Sequence, residues 1–463
     1  MISFDKNELL KMELPILVEK YKSWGPLVQQ QAKSFLEKKY HEQIRIHPSL
    51  ARQIEKKHKE LVAIQSKNEE IFSFMLGVQQ PHATNQKWEI HKGVPSQLAA
   101  HQILMEMGSD IIKLAPENRH LKKQGFETAN LNTLTDRLKH PLYKQILDMP
   151  YRVAFFWAHG SDITFDKKMS FDQKRKLYDE FYELTQYLLK TYNRSGKVFM
   201  VGNWEGDWLL TSQEGDLNQD ADLVRIENMI DWFNIRSKAI EQAKIETHYE
   251  DVRVHLYCEL NHVSLVANKG YKRIVNSVLP YTYVDYVSIS SYDMQGIGNW
   301  KSDPTESALR EFALPMFDFV EEHLPPRDIP GKRVFTGEVG FTIHHINHLF
   351  DLHGLKAERE QARLSLINAK VNLEWGMPFW IVWALHNNEL QKNGEFRGWG
   401  IYDQVHDRKR VLFQEMVSFY KWAKDFKAGF EKKNKKSLTP NLFREHAVQQ
   451  LDLQISKYQI ENK

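Results

Sequence analysis

The stretch "VFMVGNWEGDW" (Val198–Trp208) decides how this chain is read. It opens on four apolar residues, as a buried strand does. It then breaks into Gly202, Asn203, Trp204, Glu205, Gly206 and Asp207. A strand that merely fills a core has no use for two carboxylates, an amide and two indoles at its end.

Seven other stretches are built the same way, a short apolar run closed by a polar or aromatic cluster. Before it come "FSFMLGVQQPH" (Phe72–His82), "DIIKLAPEN" (Asp110–Asn118) and "YRVAFFWAHG" (Tyr151–Gly160). After it come "VRVHLYCELNH" (Val252–His262), "VDYVSISSYDMQG" (Val284–Gly296), "RVFTGEVGF" (Arg333–Phe341) and "PFWIVWALHNNE" (Pro378–Glu389). Their ends are spaced 34 to 53 residues apart. Amphipathic helix patterns lie between them, such as Leu223, Ile226, Ile230 and Phe233, or Leu309, Phe312, Met316 and Val320. Near-continuous apolar strands alternating with helices indicate a parallel sheet covered on its outer face. Eight such units predict an α/β fold, a (β/α)₈ TIM barrel over residues 71–424. An open doubly wound sheet is the alternative, but the first strand ends in "GVQQPH" and lacks the G-x-G-x-x-G phosphate turn.

Two flanking regions complete the organisation. Residues 1–70 carry a Lys-, Glu- and Gln-rich helical pattern, broken at Pro26 and Pro48, and are expected to form an N-terminal helical extension. Residues 425–463 are expected to form a basic linker around "KKNKK" (Lys432–Lys436) and then a short C-terminal helix after Pro440.

Composition narrows the function classes. The 463 residues are 42% hydrophobic and 27% charged, with 63 Lys plus Arg against 60 Asp plus Glu. That balance gives no sign of a nucleic-acid or membrane-surface partner. Cys258 is the only cysteine, so neither an internal disulfide nor a cysteine-based zinc site can form. The start, "MISFDKNELLKMELPILVEK", has charges where a signal peptide needs an apolar core. A cytoplasmic location, or export without a conventional signal peptide, is the expectation. The 12 Trp stand out, because indoles stack on the apolar faces of sugars.

In such a barrel the site forms at the C-terminal ends of the strands. Glu205 stands at the end of the fourth and Glu338 at the end of the seventh, and period-2 alternation puts Asn203 on the same side as Glu205. Two carboxylates facing one aromatic-walled cavity suit glycoside hydrolysis, where one is protonated and the other ionised.

At these residues the chain resembles the retaining (β/α)₈-barrel glycosidases, the 4/7 superfamily. "GNWEGDW" (Gly202–Trp208) and "FTGEVGF" (Phe335–Phe341) look like its two catalytic motifs. The resemblance implies Glu205 as acid/base, Glu338 as nucleophile and Tyr292 in "SSYDMQG" as the nucleophile's partner. It also implies Trp383 as a sugar floor and His159 as a site histidine. Two departures stand out. Trp204 separates Asn203 from Glu205 where the group has an adjacent Asn-Glu, which makes Asp207 a competitor for the acid. Lys113 is the nearest base to an Arg found on strand two in several families.

Asn203, His159, Trp204, Trp208, Trp383, Asp293 and Asn261 are the expected substrate contacts, although the indoles would serve equally as packing and the Asp and Asn as turn formers. The implied partner is an oligosaccharide or glycoside, with no cofactor and no metal; the oligomeric state is open. A non-catalytic carbohydrate-binding barrel is one alternative. A metal-dependent hydrolase using His344 and His348 of "TIHHINH" is another.

Overall fold

The computed structural model describes residues 70–84, 88–160, 164–211, 218–295 and 305–460. The expected extension over 1–70, Glu70 apart, lies outside them. Eight strands form one parallel sheet: β1 (Leu76–Gln79), β2 (Ile111–Leu114), β3 (Val153–Trp157), β4 (Val198–Gly202), β5 (Arg253–Leu260), β6 (Tyr286–Ser290), β7 (Val334–Val339) and β8 (Trp380–Trp383). Hydrogen-bonded neighbours run β1-β8-β7-β6-β5-β4-β3-β2. The two ends of that order meet where a Cβ on Gly77 would lie 3.0 Å from the Ile111 side chain. The result is a nearly closed (β/α)₈ barrel whose strands are the eight apolar runs of the sequence.

The runs are apolar throughout because both faces of each strand are buried. In β3, Phe155 and Trp157 point into the barrel with Val153, while Ala154 and Phe156 join the layer under the helices. Met200, Tyr257, Phe335 and Ile381 fill the interior beside Phe155. The outer ring includes helices Ser96–Met107, Phe171–Thr191, Leu223–Glu246, Glu306–Glu322 and Leu355–Trp375. A capping box between Ser170 and Gln173 starts the second of these, and the Asp222 side chain starts the third. Ile226, Ile230 and Phe233 are buried as their spacing predicts, but Leu223, the first helical residue, is exposed. Among the described residues no helix is long and apolar enough to cross a membrane.

The basic run is only partly a linker, since only Lys435 and Lys436 lie in the connection between two helices. Helix Val411–Asn434 passes through Lys432 and Lys433, and a left-handed Lys435 ends it. Position 424 therefore falls inside a helix, because Phe419, Tyr420 and Ala423 bury one of its faces and its charges lie on the other. Helix Pro440–Ile460 folds back, burying Phe443, Ala447, Leu451 and Ile455.

Two local features position the site. The pairing of β7 shifts on both sides, with Ile289 opposite Thr336 but Ser290 opposite Glu338, and Trp380 opposite Thr336 but Val382 opposite Val339. One extra residue is thus accommodated near Gly337, a β-bulge that re-aims Glu338. A Cβ on Gly337 would sit 1.9 Å from Ser288 Oγ. Gly202 plays a similar part at the end of β4, where a Cβ would lie 2.4 Å from the Tyr257 ring. Gly202→Ala should therefore lower stability by about 1–3 kcal/mol through overpacking. In a Tyr257→Leu background the further loss should shrink, since the ring is gone. Chemical denaturation of the four proteins checks this, and equal losses in both backgrounds would contradict it.

Candidate active site

At the C-terminal ends of the strands lies a cavity of about 820 Å³, walled by Trp157, Trp204, Trp208, Trp383 and Trp399 and holding both Glu205 and Glu338. Strand β4 ends at Gly202, so Glu205 sits in the turn beyond it, at a φ of +21° that non-glycine residues rarely adopt. The short helix Gly206–Thr211 follows. Its Trp208 Nε1 donates to Glu205 Oε2 at 2.8 Å, and the Ser290 hydroxyl donates to Oε1. Across the cavity, Tyr292 OH donates to Glu338 Oε1 at 3.1 Å, while Glu338 Oε2 has no hydrogen-bond partner among the described residues.

Burial pushes the Glu205 carboxyl up to about 7. Burial also raises Glu338, and the charge of Glu205 raises it further. A charge on Glu205 thus disfavours a second charge on Glu338. Burial by itself favours a proton on Glu338, the deeper of the two. The Tyr292 hydroxyl and the Lys113 ammonium oppose that by favouring the ionised form.

The other residues named from the sequence divide into two groups. Trp383 and Trp157 stack, with ring centroids 6.2 Å apart, and Trp204 meets Trp157 edge-on. His159 lines the cavity, accepts from the Trp204 N–H at 3.4 Å, and is kept neutral by burial, which drops its pKa to about 4. Asn261 and Asp293 also reach the cavity wall, but each is engaged locally. Asn261 Oδ1 accepts from Asp207 N at 3.2 Å, and Asp293 accepts from the Ser264 amide and hydroxyl at 2.8 Å.

Asn203 and Asp207 do not face the cavity. The Asn203 side chain is fully buried and makes two bonds to the Glu259 backbone, donating to its carbonyl at 2.8 Å and accepting from its N–H at 3.1 Å. The expectation that Asn203 shares the side of Glu205 fails because the strand stops at Gly202, and period-2 alternation stops with it. Asp207 is also fully buried, accepting from Asn261 N at 2.9 Å and Ile274 N at 2.8 Å. It is a strut, out of reach of a substrate.

His344 and His348 are exposed on helix Ile343–Phe350, and only His345 of that run touches the cavity. Among the described residues no three His, Cys, Asp or Glu side chains cluster as a metal site requires.

Sequence reading missed Glu259. It points into the barrel from β5 with no exposure and accepts from Lys113 Nζ (2.8 Å), Trp157 Nε1 (3.0 Å), Ser288 Oγ (2.7 Å) and the Glu205 N–H (3.3 Å). Its one signal was alternation, since Tyr257 and Glu259 share the inward face. Trp399, from the loop after β8, packs against Tyr292 with centroids 5.4 Å apart and carried no signal of its own.

No family profile and no curated protein matches the chain. Solved structures do match in fold. An exo-β-1,4-mannosidase from an Opitutaceae bacterium is 12% identical with a TM-score of 0.48 over 77% of this chain and 60% of its own. GH5_18 from Streptomyces cattleya, solved in complex with GlcNAc, is 12% identical with a TM-score of 0.46, covering 75% and 79%. A family 39 glycoside hydrolase from Bacteroides cellulosilyticus is 11% identical with a TM-score of 0.44, covering 76% and 64%. The chain thus spans about three-fifths of the mannosidase. At these identities and scores the likeness carries no weight for activity, so the chemistry has to come from the residues themselves.

Two outcomes follow from the site geometry. Asp207→Ala should destabilise the fold by about 1–3 kcal/mol for each backbone N–H left unpaired, read by denaturation. The second concerns pH. Glu205 binds its proton more tightly in the folded chain, at about 7 against an ordinary 4.5. That preference supports folding in full below pH 4.5 and is lost as pH rises through about 7. Glu205→Gln has no such dependence, so its melting temperature should gain on the parent between those values. A constant difference across the window would contradict the burial argument.

Proposed function

We propose that the protein is a glycoside hydrolase that cleaves an O-glycosidic bond with retention, through a covalent glycosyl-enzyme. One observation carries this reading. Glu205 and Glu338, from opposite parts of the barrel rim, share one indole-walled cavity with different hydrogen-bond partners. Glu338 is the nucleophile. Its unpartnered Oε2 attacks the anomeric carbon as the bond to the leaving oxygen breaks, and Tyr292 supports the ionised form. Glu205 is the acid/base. It donates its proton to the departing oxygen, then takes one from the water that attacks the same carbon. Trp383, stacked on Trp157, is the platform for a sugar's C–H face, while His159 and the rim amides meet hydroxyls. The substrate is a glycoside or oligosaccharide, and neither a metal nor a cofactor is required by this chemistry.

A second reading has its own support. Asn203 is withdrawn from the cavity, so a polar partner that a sugar hydroxyl would use is absent there. A carbohydrate-binding protein on a barrel that has lost turnover would fit that.

A panel of aryl glycosides, run with and without EDTA, separates the cases. Hydrolysis that survives chelator, with the first-formed product keeping its anomeric configuration by NMR, is expected. Sugar binding without turnover would favour the second reading, and loss with EDTA would reject both. Glu338→Gln should abolish turnover. Glu205→Ala should slow poor leaving groups by about 10²–10⁴-fold; for good ones it should spare the glycosylation step and slow only deglycosylation, which azide should speed. Because Glu205 must hold a proton, kcat/KM for poor leaving groups should fall as pH rises past about 7. An active Glu338→Gln enzyme would end this assignment.

A further inference from the structure

Burial favours a proton on Glu338, and a nucleophile must be ionised. Something in the fold must oppose burial, and the barrel interior holds a fixed charge separation beside the two carboxyls. Lys113 on β2 and Glu259 on β5 face each other across the barrel, 1% and 0% exposed and 2.8 Å apart. The two ends of this pair reach different carboxyls. Glu259 Oε1 accepts the backbone N–H of Glu205 itself at 3.3 Å. Lys113 Nζ donates at 3.0 Å to the carbonyl of Gly337, the residue before Glu338.

We propose that the buried Lys113–Glu259 pair is a positioning dipole, its negative end holding the proton on Glu205 and its positive end holding Glu338 ionised. Neither residue is catalytic; both act through the carboxyls beside them. The proposal rests on the roles given to Glu205 and Glu338 above.

The charged and titratable surroundings are consistent with it. Glu205 faces Ser290 from the end of β6, Trp208 from the short helix after its turn, Glu338 from β7, Glu259 from β5 and Lys113 from β2. At Glu205 the charge of Glu259 outweighs that of Lys113, and the net effect is to raise the carboxyl. Glu338 faces Tyr292, Glu205, Lys113 and Glu259, with the Tyr257 phenol also nearby. There the order reverses, and Lys113 outweighs Glu259. The dipole is fixed because its members have no slack. Glu259 is also held by Trp157 and Ser288, and the bulge at Gly337 leaves no room for a side chain. Low surrounding polarity lets such a dipole act over several ångströms.

The test reads protons, not turnover. In protein labelled with ¹³C at the glutamate carboxyl, the Glu205 and Glu338 signals are assigned through Glu205→Gln and Glu338→Gln and titrated by NMR. In the parent, Glu338 should lose its proton at lower pH than Glu205. In Lys113→Met/Glu259→Gln, which removes both charges together, that gap should narrow by about one pH unit or more. The reverse order in the parent would overturn the proposal without any variant, so a double variant that fails to fold does not protect it. An unchanged gap in a folded double variant would overturn it as well. The outcome is separable from the activity reading. A protein with the predicted order that hydrolyses no glycoside keeps the dipole and loses the enzyme. One that hydrolyses them with an unchanged gap loses the dipole alone.

Discussion

A lysine and a glutamate with no access to water sit in the middle of this barrel, and most of the site is arranged around keeping them satisfied. Removing one member of such a pair typically costs about 3–5 kcal/mol, because the other is left as an uncompensated buried charge. Here each charge collects further partners. Glu259 takes hydrogen bonds from Trp157 on β3 and Ser288 on β6, and Lys113 gives one to the backbone of β7. Five of the eight strands are thereby tied at one level. An apolar barrel centre of the same size would be no less stable on general grounds. The pair is therefore better understood through what it does to its neighbours than through what it adds to stability.

The same level of the barrel explains where small residues stand. Gly202 leaves room for the Tyr257 ring, and Gly337 leaves room for the Ser288 hydroxyl and the Glu259 carboxylate. The bulge that Gly337 permits turns Glu338 into the cavity, where a regular β7 would place its side chain differently. Backbone geometry, charge burial and the position of Glu338 are thus one constraint and not three.

At the end of β4 a second lattice does comparable work. Asn203 imitates a ladder rung to β5, and Asp207 joins the turn to Asn261 and Ile274. Between these two buried struts Glu205 is pinned at its unusual φ, with its carboxyl held by Trp208 and Ser290. The polar residues that look most chemical in "GNWEGDW" are split between scaffold and site. Only Trp204, Glu205 and Trp208 reach the cavity.

The barrel itself was legible in the sequence, because eight strands buried on both faces must be apolar along their whole length, and such runs survive as a one-dimensional pattern. Glu205 and Glu338 were legible for the same reason, since strand ends in a barrel converge whatever the loops do. Asn203 was misread because alternation holds only while the strand lasts, and nothing local marks where β4 stops. Lys432 and Lys433 were misread as linker because a charged run and the solvent face of a long helix have the same composition. Glu259 and Lys113 stayed out of reach as a pair. They are 146 residues apart along the chain, and a charge inside an apolar run says nothing about its partner until the sheet curls and brings β2 opposite β5. Sequence alone determined which segments are strands and which carboxyls stand at the rim. Tertiary structure alone decided which of those groups face the cavity and what field they feel, because both depend on contacts across a closed sheet that no local pattern encodes.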